Sequence, residues 1–228
     1  MIETSTEACS VALAIDNKVV SKRYICEHKA HARILAPFID EILKENNLTA
    51  KELSAVAVSA GPGSYTGLRV GISTAKGICY GASIPLISVG TLQILANMAK
   101  PHISDNTKNI TIIPMIDARR MEVYCARFDR NATILSPIEP LILEPETFSA
   151  EFSRGPIIFC GDGAAKYADI ITEEYRKKSI FLPRYPLAEF MLPQVAEKWE
   201  RNEFEECAYF EPLYLKEFIA GKSTKKLL

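Results

Sequence analysis

The sequence predicts an α/β fold built from two lobes of similar construction. Residues 55–89 contain a buried strand, a glycine loop, a helix and a second apolar strand, an order typical of a parallel β-loop-α-β unit. Residues 157–176 repeat the order of strand, glycine turn and helix. Near the start, two apolar segments separated by Asp16-Asn17 predict a β-hairpin. We therefore expect a duplicated mixed sheet with flanking helices.

Composition limits the class of protein. The chain has 228 residues, of which 48% are hydrophobic, enough for one large core or two smaller ones. A formal charge of −1 argues against a surface that binds nucleic acid by itself, because phosphate binding needs clustered lysine and arginine. The sequence contains neither an apolar run of about 18 residues nor a basic leader ahead of the first strand, so we expect a soluble, cytoplasmic protein without a membrane partner. The six cysteines form no CxxC pair and lie in or beside apolar segments, which favours reduced, core-packed thiols.

The predicted helix from about Ser64 to Gly81 is rich in glycine. Each glycine in a helix interior costs about 1 kcal/mol relative to alanine, so propensity alone does not explain this helix. Gly67, Gly71 and Ala75 recur at four-residue spacing and form a nearly bare strip that another backbone can approach closely. We interpret tight packing as the compensation. The pattern leaves open whether the neighbour belongs to this chain or to another one.

A second helix, from about Ala30 to Asn46, carries an apolar stripe. Three- and four-residue spacing places on one face Ile34, Leu35, Phe38, Ile39, Ile42 and Leu43. Such a stripe is usually core, but it can also be half of an interface. The glycine-lined helix is a natural neighbour for it.

Two loops invite a phosphate-binding hypothesis. Glu3-Thr4-Ser5-Thr6 follows the first strand, where an acidic residue and hydroxyls can face a metal-phosphate group, although a plain polar turn fits equally well. The run Gly61–Gly67 lacks the Lys-Ser/Thr ending of a P-loop, and Pro62 removes a backbone donor. We therefore interpret its glycines as serving the turn and the helix contact.

A metal site has little support from the pattern. His28 and His31 are three residues apart, but a catalytic metal needs further ligands, and the remaining histidine, His102, lies in a polar loop. Solvated histidines at a helix start are the preferred interpretation, so we expect no metal and no cofactor.

The second half begins after a polar loop at residues 100–108, which predicts lobes 1–99 and 100–228. We expect strands at 110–116, 122–128 and 157–160, and an extended edge segment at 133–143, which contains Pro137 and Pro140. The predicted helices are 164–176 and 187–200. A basic tail with Lys222, Lys225 and Lys226 ends the sequence.

Several segments match a known family in the identity of their residues as well as in their hydrophobic pattern. In family order, these are Thr4–Leu13, His31–Pro37, Ser59–Gly90, Asp117-Ala118-Arg119 with Glu122-Val123-Tyr124, Gly161-Asp162-Gly163 and Pro212–Lys216. The sequence thereby resembles the bacterial TsaB (YeaZ) family over nearly its whole length. The run GPGSYTGLRVGISTAKG is the most specific of these matches.

The resemblance implies a two-lobed actin/Hsp70-like fold of the ASKHA, ribonuclease H-like class. It further implies a role in forming N6-threonylcarbamoyladenosine beside the anticodon of tRNAs that read codons beginning with A. In that family the protein is a non-catalytic dimerisation subunit of the catalytic paralogue TsaD, which the ATPase TsaE joins, and tRNA is bound only through the complex. Alone, such a protein can pair with a second copy of itself.

The family's contact uses the first two helices. On this basis the partner interface comprises His31, Ile34, Leu35, Phe38, Ile42, Gly67, Arg69, Gly71, Ile72, Ala75, Lys76 and Cys79. Vestigial nucleotide loops fall at Glu3, Thr4, Ser5 and Thr6 and at Gly161, Asp162 and Gly163. We expect no catalytic residues.

One departure bears on these loops. Family members carry several more residues before the Thr-Ser-Thr loop and end that strand in Asp, whereas Glu3 holds the acidic position here. A misassigned start and a shortened central strand both fit this difference. The alternative function is a nucleotide-binding enzyme of the same fold, either kinase-like or a metal-dependent hydrolase.

Overall fold

The computed structural model describes residues 1–27, 30–107 and 109–215 and forms two five-stranded mixed sheets with helices packed on them. The strands are β1 Ile2–Glu3, β2 Ala8–Ile15, β3 Lys18–Cys26, β4 Val56–Ser59, β5 Leu86–Val89, β6 Thr111–Asp117, β7 Glu122–Cys125, β8 Glu139–Ile142, β9 Ile157–Cys160 and β10 Ser179–Leu182. The helices are α1 His31–Glu45, α2 Tyr65–Ala82, α3 Thr91–Ala99, α4 Ser149–Phe152, α5 Ala164–Ile170, α6 Glu173–Arg176 and α7 Leu192–Glu200. Short 3₁₀ turns span Ala50–Glu52, Lys100–His102 and Ala188–Met191.

The first sheet has the strand order β3-β2-β1-β4-β5. The predicted hairpin is confirmed as β2 and β3, and both turn residues, Asp16 and Asn17, take the left-handed conformation that tight hairpins favour. β1 is central although it is only two residues long. Ile2 pairs antiparallel with Val11 of β2 and parallel with Val58 of β4.

Helices cover both faces of the first sheet. One face packs against α1 and α2, whose Leu35, Ile42 and Ile72 join Ile2 and Val58 in a buried cluster. The opposite face packs against α3, the 3₁₀ turn at 188–191 and α7, through a smaller apolar cluster. Burying both faces explains why β4 and β5 read as continuous apolar runs.

The second sheet has the order β10-β9-β6-β7-β8. β6, β9 and β10 run parallel, whereas β7 and β8 are antiparallel additions. Phe148, Phe159 and Tyr167 form an aromatic core on one face, and α3 packs on the other. α3 therefore contacts the cores of both sheets. The lobe boundary near residue 100 stays a prediction.

Several predicted boundaries need correction. The helix expected over 164–176 is divided into α5 and α6, because Thr172 caps a new helix by accepting a hydrogen bond from the Tyr175 N–H. The helix expected over 187–200 begins as a 3₁₀ turn, and the extended segment expected over 133–143 forms a strand only at β8. β10 was not predicted. The basic tail lies outside the described residues.

Within residues 1–27, 30–107 and 109–215, none of the helices combines the length and the apolar character that a bilayer span requires.

Candidate functional site

The glycine strip of α2 lies on the loop that follows β1. The Thr4 hydroxyl donates a 2.8 Å hydrogen bond to the Gly67 carbonyl. A Cβ on Gly67 would overlap the Thr4 carbonyl oxygen, and one on Gly71 would overlap Thr4 Oγ1. Ala75, the next position of the strip, is fully buried. The close neighbour of the strip is therefore this chain, so the expectation that a partner would fill it is corrected for Gly67, Gly71 and Ala75.

Other members of the predicted interface also face inward. Leu35, Ile42, Ile72 and Cys79 are each at most 4% exposed and belong to the core beneath α1 and α2. Their positions follow from the amphipathic pattern, because the most apolar face of each helix packs on the sheet. Their side chains pack between the two helices and the first sheet, where a partner cannot contact them.

The remaining α1 residues of the prediction lie nearer the surface. Ile34 and Phe38 are half-buried, and Phe38 packs against the core beneath α1 and α2. His31 is also half-buried, and its Nε2 lies 3.2 Å from the carbonyl oxygen of Ala8. His28, the other histidine considered as a ligand, lies outside the described residues.

Arg69 and Lys76 hold a segment of their own chain. Residues 205–214, which we call the C-terminal strap, run along one flank of α2. Lys76 Nζ donates to the Ala208 carbonyl at 3.1 Å, and Arg69 Nε donates to the Tyr214 hydroxyl at the same distance. The Arg69 guanidinium also lies 4.0 Å from the centre of the Tyr65 ring. Both cations are therefore engaged within the chain.

The outward side of α2 has a different character. Exposed along it are Thr66, Ser73, Gly77, Tyr80 and Gly81, which we call the outer α2 face. The Tyr80 side chain is 87% exposed. A Cβ added to Gly77 or Gly81 would meet nothing within 4 Å. Among the described residues, therefore, no packing contact explains these two glycines, although each weakens the helix by about 1 kcal/mol.

The structure separates two kinds of glycine that look alike in the sequence. Gly67 and Gly71 are required by the Thr4 loop, whereas Gly77 and Gly81 border an open depression beside the 3₁₀ turn at 50–52. Sequence reasoning treated Gly77 and Gly81 only as interruptions of the helix. The available signal was their offset from the end of the strip, because at about 100° per residue Gly77 and Gly81 lie roughly 160° and roughly 120° around the helix from Ala75.

The first predicted nucleotide loop, Glu3–Thr6, is buried. Glu3 is fully enclosed and accepts a 2.6 Å hydrogen bond from the Ser5 N–H, while the Thr4 N–H points at Ser59 Oγ from 3.5 Å. Burial raises the pKa of Glu3 to about 7, and the surrounding hydrogen bonds oppose this rise. The loop therefore joins β1, β4 and α2 through internal contacts.

The second predicted loop, Gly161–Gly163, packs on β6. Gly161 has φ +100°, and a Cβ there would overlap the Met115 carbonyl oxygen; the Gly163 N–H donates to that oxygen at 3.1 Å. Asp162 accepts bonds from the Asp117 and Gly163 N–H groups, both at 3.0 Å. Burial raises the pKa of Asp162 to about 6, to which the charge of Asp117 adds. The glycines of this loop are explained by its close packing against β6 and β7.

Tyr185, which sequence reasoning missed, lies between the two loops. Its hydroxyl is 3.3 Å from Glu7 Oε2. Burial raises the pKa of Tyr185 to about 12, and the charges of Glu7 and Asp162 contribute. Tyr185 therefore lies near two acidic side chains, Glu7 and Asp162, while the nearby Asp117 is paired with Lys166 at 2.6 Å.

Comparisons with known proteins agree on one family. A family model described as TsaD, tRNA N6-adenosine threonylcarbamoyltransferase, matches residues 26–223. The tRNA threonylcarbamoyladenosine biosynthesis protein TsaB of Escherichia coli is 33% identical over 97% of this chain and 95% of its own length. The protein of the same name from Haemophilus influenzae is 30% identical over 97% of this chain and 94% of its own length.

The solved structures give the same result for the fold. YeaZ from Pseudomonas aeruginosa superposes with a TM-score of 0.78 at 27% identity, covering 94% of this chain and 97% of that one. Its match extends over both sheets, so the similarity is not confined to the first lobe. The chain belongs to the TsaB (YeaZ) family of tRNA threonylcarbamoyladenosine biosynthesis proteins.

Proposed function

We propose that this protein is a non-catalytic subunit that activates tRNA threonylcarbamoyladenosine formation by pairing with its TsaD. Its role in this biosynthesis follows from the family. The mode of action is our inference. The single observation that carries it is the outer α2 face, where Tyr80 is 87% exposed and Gly77 and Gly81 leave open space.

The outer α2 face fits a helical partner. Two glycines one turn apart allow another helix to approach closely, and an adjacent tyrosine supplies apolar area together with a hydroxyl. On α1, the half-buried Ile34 and Phe38 supply apolar surface. The proposed contact therefore uses Ile34 and Phe38 of α1 with the outer α2 face, and the buried glycine strip only holds α2 in place.

The absence of a catalytic role is part of the proposal. The backbone of the first loop is bonded within the chain, because the Ser64 N–H donates to the Ser5 carbonyl and the Ser5 N–H donates to Glu3 Oε1. In the second loop, Asp162 accepts bonds from the Asp117 and Gly163 N–H groups. A nucleotide would have to displace these contacts. These features favour a scaffold over a nucleotide-dependent enzyme.

The wider assembly follows from the same reasoning. We infer that TsaE joins the pair formed with TsaD, that tRNA is held by the complex, and that the complex acts in the cytoplasm. In isolation, the same helical face supports a homodimer. The formal charge of −1 fits a subunit that does not itself bind the tRNA phosphates, which other members of the complex would bind.

Reconstitution tests this proposal. Purified TsaD and TsaE from the same organism would be given threonylcarbamoyl-adenylate and tRNA, with and without this protein, and the modified nucleoside quantified by mass spectrometry. We expect product only when the protein is present and no product from the protein alone. Equal modification without it, or turnover by the protein alone, would contradict the proposal.

A further inference from the structure

The outer α2 face is bordered by a lysine on each flank. Lys76 lies on the flank that the C-terminal strap covers, where its Nζ donates to the Ala208 carbonyl at 3.1 Å. Lys51 lies on the other flank, in the 3₁₀ turn that follows α1, and lines the open depression beside Gly77 and Gly81. A helix laid along this face would therefore meet a positive charge on each side.

The helix α2 itself contributes positive charge and no negative charge. Its 18 residues include Arg69 and Lys76 but neither aspartate nor glutamate. Glu211 of the C-terminal strap interacts with the charge of Arg69. Lys76 is bonded to a backbone carbonyl rather than to a carboxylate, so its charge is not neutralised by that contact.

Lys51 is the most accessible of these cations. It is exposed, and within residues 1–27, 30–107 and 109–215 its ammonium forms neither a hydrogen bond nor an ion pair. The adjacent Glu52 directs its carboxylate to the start of its own turn, where Oε2 accepts bonds from the Thr49 N–H and hydroxyl, both at 2.8 Å. The Lys51 ammonium is therefore free to bind a carboxylate that a partner supplies.

The carboxylates on the exposed side of α1 are already paired within the chain. Asp40 accepts a 2.7 Å bond from Lys44, one turn later on the same helix. Glu41 and Glu45 both pair with Arg23 of β3. These acidic side chains are thus balanced by cations of their own, whereas Lys51 is not.

We infer that the helix docking on the outer α2 face carries carboxylates along its edges, one of which pairs with Lys51. The inference rests on the proposed pairing with TsaD and adds the chemistry that this surface selects. The centre of such a helix would pack on Gly77 and Gly81 and beside Tyr80, and its acidic edges would meet the lysine flanks. Coiled coils use the same arrangement, in which charges beside the packed seam set the choice of partner.

The same charges disfavour a second copy of this chain as the occupant. Another copy would bring its own α2, which has no carboxylate, and its own Lys51 and Lys76 to the contact. Like charges placed together across an interface oppose pairing and so contribute to specificity. An acidic-edged helix therefore fits this face better than a copy of α2 does.

The test measures how fast TsaD from the same organism binds, by surface plasmon resonance at about 50 mM and about 500 mM salt. It compares the parent with Lys51→Glu and with the matched control Lys177→Glu. Lys177 is also exposed but lies at the end of α6, beside the second sheet. Both variants change the net charge of the protein equally, so the control removes the effect of overall charge.

We expect Lys51→Glu to slow association about fivefold or more at low salt and less than about twofold at high salt, because exposed charges at an interface act mainly on the association rate and are screened by ions. The dissociation rate should change little, and Lys177→Glu should match the parent. Equal association rates for the two variants, with the parent binding TsaD, would overturn the acidic edge alone. A parent that does not bind TsaD would overturn the proposed pairing as well. A change in self-association of Lys51→Glu by sedimentation, with TsaD binding unaffected, would assign this flank to a second copy and overturn the inference.

Discussion

The Thr4 hydroxyl and the Gly67 carbonyl are joined by a 2.8 Å hydrogen bond that links the β1 loop to α2 across 63 residues. This contact leaves room for neither a Cβ on Gly67 nor one on Gly71. A bulky residue at Gly71 would therefore damage the fold itself.

The two kinds of glycine in α2 should respond oppositely to alanine. Gly71→Ala forces a methyl group into Thr4 Oγ1 and should lower the free energy of unfolding by about 1–3 kcal/mol. Gly77→Ala meets open space and should raise it by up to about 1 kcal/mol through helix propensity. Urea denaturation of both variants and the parent measures these changes. Equal effects at the two positions would contradict the assignment of Thr4 as the reason for the strip.

Glu3 should make stability depend on pH. Its folded pKa of about 7 lies above its unfolded value of 4.5, so between these values the folded state binds the proton more tightly. The contribution of Glu3 is therefore present below pH 4.5 and is lost as pH rises through 7, by up to about 3 kcal/mol.

The variant Glu3→Gln tests this dependence. It remains neutral at every pH, so its stability relative to the parent should increase between pH 5 and pH 8. Denaturant unfolding at both pH values isolates the difference from other titrating groups, including Asp162. A constant difference between the two proteins would show that Glu3 does not titrate in this range.

The cysteines should differ in reactivity. Cys26 is exposed, Cys207 is intermediate, and Cys9, Cys79, Cys125 and Cys160 are buried. Burial raises the pKa of Cys125 to about 12, which suppresses its thiolate. With a thiol reagent, the native protein should show one fast and one slower reaction, and the other four thiols should react only on unfolding. Cys26→Ser should remove the fast phase; if it persists, the exposed thiol has been misidentified.

ATP should not bind the isolated protein measurably. The side chains of the Glu3–Thr6 loop are buried, and its backbone is hydrogen-bonded within the chain. Isothermal titration with Mg-ATP tests this directly. Stoichiometric binding at micromolar affinity would favour the kinase-like alternative instead.

Local elements of the fold could be predicted from the sequence, whereas contacts between residues far apart in the sequence could not. The β2–β3 hairpin and the course of α2 were predictable because turn residues, apolar periodicity and the Ser64 cap lie within each segment. The residue that packs against Gly67 could not be predicted, because Thr4 is brought next to Gly67 only when β1 pairs with β4. β10 was missed because its four residues are mostly half-exposed and lack a strong pattern. Family resemblance supplied the function, which no local pattern contains.

The proposed TsaD-binding surface on α2 is tested most directly by substituting two exposed tyrosines, one on that surface and one outside it. Tyr80, on the outer α2 face, is 87% exposed, and Tyr209, on the C-terminal strap, is 77% exposed. Binding of the TsaD from the same organism would be measured by calorimetry for the parent, Tyr80→Ala, Gly77→Arg and the control Tyr209→Ala. We predict that Tyr80→Ala weakens binding about tenfold or more, that Gly77→Arg abolishes it, and that Tyr209→Ala leaves it unchanged. Parental affinity in both Tyr80→Ala and Gly77→Arg would contradict the account.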